Sequence, residues 1–244
     1  MTSKKHWTLR AAGLLFALVL ITSCFVGGTF AKYVKSVSGT QIARVARFGV
    51  EITATNDTAF KTTYDTDANG LSSVISSGDK VIAPGTGEDG TVKLSIAGTP
   101  EVAVHVELAM EEIMDVFLKA GTHRDLTTAD PNDTFDLAKP YHPVVFTLKQ
   151  NGAVLKSGTI SEIKAHLATR SQDYAAGTNL GAEFGTYTLS WEWAFEDAGI
   201  AKKDQADTLL GVLAANNTAL GYTPITDYNI GISFKLTATV TQID

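Results

Sequence analysis

The chain has 244 residues and a formal net charge of −6. Lys4, Lys5 and Arg10 are the only charged side chains before Lys32, so the remainder carries −9; this excludes nucleic acid and anionic membrane as natural partners of that part, since both require a basic face. A chain of this length can bury about 70% of its unfolded surface without staples, and none are on offer: Cys24 is the lone cysteine, so the rest of the chain has no disulfide and no thiolate metal site.

From the N-terminus, the basic residues Lys4, Lys5 and Arg10 precede an uncharged stretch from Ala11 to Phe30. A basic head, an apolar run and a small-residue exit predict a signal peptide over residues 1–31. Thr29 and Ala31 place small residues at −3 and −1, so cleavage leaves Lys32 as the new N-terminus. Two alternatives stay open. Ile21-Thr22-Ser23-Cys24 fits a lipobox with Cys24 as an acylated terminus, and the apolar run is nearly long enough for an uncleaved anchor. On the preferred reading, membrane contact is confined to this N-terminal segment before cleavage.

Beyond the leader, apolar residues recur with period two, the pattern of strands covered on one face. Phe48, Val50 and Ile52 form the first such face, and Val92, Leu94 and Ile96 the second. Met110 to Lys119 has helical spacing and follows the face Val102, Val104, Val106 and Leu108. Val144, Phe146 and Leu148 come next, and Gln150-Asn151-Gly152 turns the chain into Ala153-Val154-Leu155, because Asn-Gly suits a two-residue hairpin. Ser161 to Thr169 reads as a second helix. Tyr187, Leu189, Trp191, Trp193 and Phe195 make the heaviest face, Asp204 to Ala215 a third helix, and Ile230 to Val240 a last strand. Alternation of this kind predicts antiparallel sheets, and two of them packed together predict an all-β sandwich with short helical insertions. One domain over residues 47–244 is expected.

Catalytic constellations are missing from the pattern. None of the histidines His6, His105, His123, His142 and His166 forms His-Glu-x-x-His, and neither G-x-S-x-G nor a glycine-rich phosphate loop occurs. No enzyme activity is expected. Asp65, Asp67 and Asn69, with Gly70, copy the first half of a calcium loop. Ser76 stands where the bidentate glutamate belongs, so calcium is the one cofactor considered, against a plain Asx turn between strands. Glu196, Asp197, Asp204 and Asp207 read as a solvated acidic loop, with Asp204 or Asp207 capping the next helix. Trp191 and Trp193 lie two apart, face the same way and read as core.

Several blocks carry a family resemblance. Gly27-Gly28-Thr29-Phe30-Ala31-Lys32-Tyr33 resembles the exits of leaders cut by SipW-type signal peptidases, and Gly39 to Phe48 is similar to the start of the mature proteins that follow such leaders. Ile82-Ala83-Pro84-Gly85-Thr86, Gly98 to Val102, Trp191 to Glu196, Asp207 to Gly211 and Thr237 to Gln242 continue the likeness in order. The family is that of TasA and camelysin (CalY), matrix-fibre proteins of Gram-positive biofilms. The resemblance implies a jelly-roll sandwich, export through a SipW-type peptidase, an extracellular or cell-surface location, and self-association with copies or related matrix proteins. Residues 32–46 would then act as a donor strand that completes a sheet of the next subunit; the alternative is a disordered tail. Two other classes remain: a metalloprotease-like surface hydrolase of the camelysin type, for which the chain offers no ligand set, and a lipid-anchored binding module.

Overall fold

The computed structural model describes residues 44–55, 59–65, 72–195, 202–215 and 220–243. Cys24, Thr29, Ala31, Lys32, most of the 32–46 segment, Asp67, Asn69, Glu196 and Asp197 lie outside the described residues. The chain divides into two units, Met1–Arg47 and Phe48–Asp244. The strands belong to the second unit.

That unit is mostly strand, and every sheet is antiparallel. The main sheet has the order β1 (Val50–Thr55), β4 (Thr86–Gly98), β12 (Thr186–Trp193), β9 (Val145–Gln150), β10 (Ala153–Gly158). A second sheet has the order β11 (Gln172–Tyr174), β5 (Val104–Met114), β14 (Ser233–Gln242). Three two-stranded ribbons decorate them: β2 (Thr63–Asp65) with β3 (Ser72–Ile75), β6 (Phe117–Leu118) with β13 (Tyr228–Asn229), and β7 (Gly121–Arg124) with β8 (Thr134–Leu137). The result is an all-β, sandwich-like fold.

Period-two alternation builds the core. Val92, Leu94 and Ile96 of β4, Phe146 and Leu148 of β9, and Tyr187, Leu189, Trp191 and Trp193 of β12 are buried. Val104, Val106, Leu108 and Met110 of β5 meet them from the other sheet in one continuous cluster. Phe146 and Phe234 touch edge to face across the sheets, 5.9 Å between centroids. Asn151 and Gly152, both at positive φ (50° and 83°), form the tight turn joining β9 to β10, as the Asn-Gly pair predicts.

Two helices arise where their spacing predicts them. Helix α1 (Ile160–Leu167) buries Ile160, Ile163 and Leu167 against β5, β9 and β10. A capping box opens it: the Glu162 amide donates to the Thr159 hydroxyl (3.3 Å), and the Thr159 amide donates to Glu162 Oε2 (2.9 Å). That backbone hydrogen bond, helped by Lys156, holds the Glu162 carboxyl below its ordinary range. Thr159→Ala should therefore cost about 1 kcal/mol in urea unfolding. The contribution of Glu162 is present above the ordinary carboxylate range and is lost as pH falls through its lowered folded value; because the Thr159 amide that donates to it survives in Thr159→Ala, parent and variant should lose it together in acid. A short α2 (Leu180–Glu183) caps on Asn179, and α3 (Lys203–Ala214) follows β12, burying Ala206, Leu209, Leu210 and Leu213.

Three expectations are corrected. Met110 to Lys119 is strand up to Met114 and then β6, with no helix. The segment is rich in helix formers, but Met110 pairs with Leu236 and Glu111 with Lys235, and Met110 is buried in the core. Tertiary pairing overrides local propensity there. The apolar face Phe48, Val50, Ile52 is a strand from Val50, yet Phe48 and Ile52 are exposed, because β1 is the outermost strand of its sheet. Phe195 lies past the end of β12 and is 67% exposed, so the aromatic face stops at Trp193.

Candidate functional site

The first feature of interest is the edge of the smaller sheet. Among the described residues β14 has a strand neighbour on one side only, β5. Its core-facing alternation is Phe234, Leu236, Ala238 and Val240; of these only Leu236 is buried, and the other three are half-covered. Where β14 begins, an open cleft of about 330 Å³ is lined by Ala59, Phe60, Lys80 and Ile232 to Lys235. Phe60 stands between Trp191 (5.3 Å) and Phe234 (6.1 Å), and the Trp191 indole donates to the Ala59 carbonyl at 2.5 Å. The cleft wall is thereby pinned to the core. An edge strand with an apolar side left partly uncovered can accept another strand: its backbone offers a ladder, and the cleft offers a seat for alternate side chains.

The second feature is a polar cluster inside the fold. Helix α3 has Lys202 as its N-cap, at a left-handed φ of 69° and with no side-chain cap. Lys203 and Asp207, one turn apart on α3, point inward and are 5% and 9% exposed. Lys203 Nζ lies 3.2 Å from Asp207 Oδ2. The other carboxylate oxygen, Oδ1, accepts from the Tyr141 hydroxyl at 2.7 Å and from the Trp193 indole at 3.2 Å. Lys203 also donates to the Tyr141 hydroxyl at 3.0 Å. Burial pushes the Asp207 carboxyl above its ordinary range, against the lowering effect of Tyr141, Lys203 and Trp193. Each polar atom of the pair has a partner, as a charge taken out of water requires.

The sequence-predicted residues are distributed as follows. Asp65 ends β2, which pairs with β3, so the Asp/Asn/Gly stretch connects two strands; Asp67 and Asn69 are outside the described residues. Asp207 is not a helix cap; it is buried in the helix body, a role that sequence reading missed together with Lys203 and Tyr141. The Lys-x-x-x-Asp spacing was visible, but nothing in it distinguishes an exposed pair from a buried one. Trp191 and Trp193 are core, as read. His105 pairs with Asp173 at the surface (2.6 Å). His142 pairs with Asp115 (2.9 Å), and His123 is buried between the Tyr222 hydroxyl (2.9 Å) and the Lys119 carbonyl (2.8 Å). These histidines do not converge, and among the described residues no three metal-ligating side chains come together. Likewise no described helix is long and apolar enough to cross a membrane.

No protein-family model, curated protein or solved structure matches this chain.

Proposed function

We propose that this protein is an exported structural component of a bacterial cell surface or biofilm matrix that self-associates by strand addition, residues 32–46 of one copy pairing with the β14 edge of the next. The observation that carries the reading is β14 itself: a strand of ten residues that, among the described residues, has a strand neighbour on one side only, with half-covered Phe234, Ala238 and Val240 and a cleft lined by Phe60, Ile232 and Phe234 together with Lys80 and Lys235. An incoming strand would extend the backbone ladder and cover those side chains, and both gains drive association. The donor segment carries Lys32, Lys35, Arg44 and no acid among its charged residues, and although the rest of the chain is acidic overall, the cleft beside β14 is itself lined by Lys80 and Lys235, so backbone pairing and apolar burial carry the association. The leader-like residues 1–31 support export, and the order of blocks similar to TasA and camelysin supports a SipW-type peptidase as the processing partner.

Deletion of residues 32–46 is the direct test. The truncated protein should lose fibres in negative-stain electron microscopy while unfolding at the same temperature as the intact one. Equal polymerisation by the truncated protein would refute strand donation. An intact mass beginning at Lys32 supports export with cleavage after Ala31; an acylated Cys24 overturns that part and favours the anchored binding module.

A further inference from the structure

We propose that Lys203 and Asp207 are a covalent modification site: the two side chains condense into an intramolecular isopeptide bond that staples the first turns of α3. The inference stands on how the four groups of the cluster divide the labour of an acyl transfer, and it is independent of the strand-addition reading.

The two oxygens of Asp207 have unlike surroundings. Oδ1 takes two donors, the Tyr141 hydroxyl at 2.7 Å and the Trp193 indole at 3.2 Å. That is the arrangement that polarises a carbonyl and holds the oxyanion of a tetrahedral intermediate. Oδ2 takes the amine, with Lys203 Nζ at 3.2 Å, which places nucleophile and leaving oxygen side by side. The site excludes bulk water, since both side chains are more than nine-tenths buried, and fixed proximity replaces a bimolecular encounter. Burial also favours the protonated acid at Asp207, so the pair can exchange its ionic form for the neutral one that reacts.

The step balances without a co-reactant. Lys203 passes a proton to Oδ2, giving a neutral amine and a carboxylic acid. The nitrogen lone pair attacks Cγ and forms the C–N bond, while the charge on Oδ1 is held by Tyr141 and Trp193. A second proton moves from nitrogen to Oδ2, the Cγ–Oδ2 bond breaks, and one water leaves. An amide remains, with no change in oxidation state. The position of the bond has a structural use: α3 starts at Lys202 without a side-chain cap, and the described part of the chain contains no cysteine with which to staple it.

The test is the mass of the full chain, folded and then denatured for electrospray. The parent protein should lie one water below its sequence mass, and trypsin should fail to cut after Lys203. Asp207→Asn should lose ammonia instead of water and converge on the same final mass, because the same amide forms. Lys203→Arg should keep the full sequence mass. A parent protein at full mass, cut freely after Lys203, overturns the proposal. A water deficit that persists in Lys203→Arg overturns it too, because a cyclic imide of aspartate alone loses the same water.

Discussion

Phe146→Ala should lower the unfolding free energy by about 3–5 kcal/mol, read from the urea midpoint at constant slope. Phe146 is fully buried. On β9 it faces Trp191 of β12 and Gly158 of β10, and its ring meets Phe234 of the opposite sheet edge to face at 5.9 Å. Truncation removes the ring from the layer between the sheets, where strands on both sides are held in register and cannot collapse into the space. Part of the cost is transfer, part is the cavity. Val154→Ala on the neighbouring β10 is the control, since Val154 is 61% exposed and should change stability by less than about 0.5 kcal/mol. A loss below about 1 kcal/mol at Phe146 would mean that the two sheets do not share the packed layer described above.

Measured against a parent in which the Lys203–Asp207 pair is still ionic, as the 3.2 Å contact shows it, Lys203→Met should cost about 3–5 kcal/mol near neutral pH, because it leaves the buried Asp207 carboxylate without its cation. The Tyr141 and Trp193 donors remain on Oδ1, but neither supplies a charge. The pH dependence follows from the sign of the shift. A carboxyl raised above its ordinary range by burial holds its proton more tightly when folded than when unfolded. Stability of the variant therefore falls as pH rises from the unfolded value through the folded one, and acid relieves the penalty. Adding Asp207→Asn to Lys203→Met should recover most of the loss, since the amide oxygen still accepts from Tyr141 and Trp193 and carries no charge. Thermal unfolding of parent, single and double variants at several pH values checks all three statements. A single variant as stable as the parent across that range would show that the cluster does not hold α3.

Much of the fold is legible in the chain because its central strands are buried on one face only. Alternation in Val92 to Ile96, in Val144 to Leu148 and in Tyr187 to Trp193 has a local cause, the two-residue period of the strand, and it survives into the structure. The Asn151-Gly152 turn is local as well, since its positive φ values suit those residues. Helices α1 and α3 were readable for the same reason. Met110 to Met114 was not, because helix formers there are held extended by the distant partner strand β14, and no window of sequence contains both strands. Phe48 and Ile52 follow the same logic in reverse: their pattern announces a strand, but its place at the sheet edge, which leaves the pattern uncovered, is a fact of topology.

The candidate sites divide along that line. By itself the sequence determined an acidic, cysteine-poor, all-β body behind a leader-like N-terminus, and it set the alternation that builds the core. Which strand lies at the edge with its apolar side half-covered, and whether Lys203 and Asp207 face solvent or each other in the interior, only the tertiary structure decided. Spacing places side chains on a face, whereas burial depends on what the rest of the chain lays over that face. An ion pair one turn apart on a helix is commonplace in water; enclosed with Tyr141 and Trp193, it becomes a chemical site.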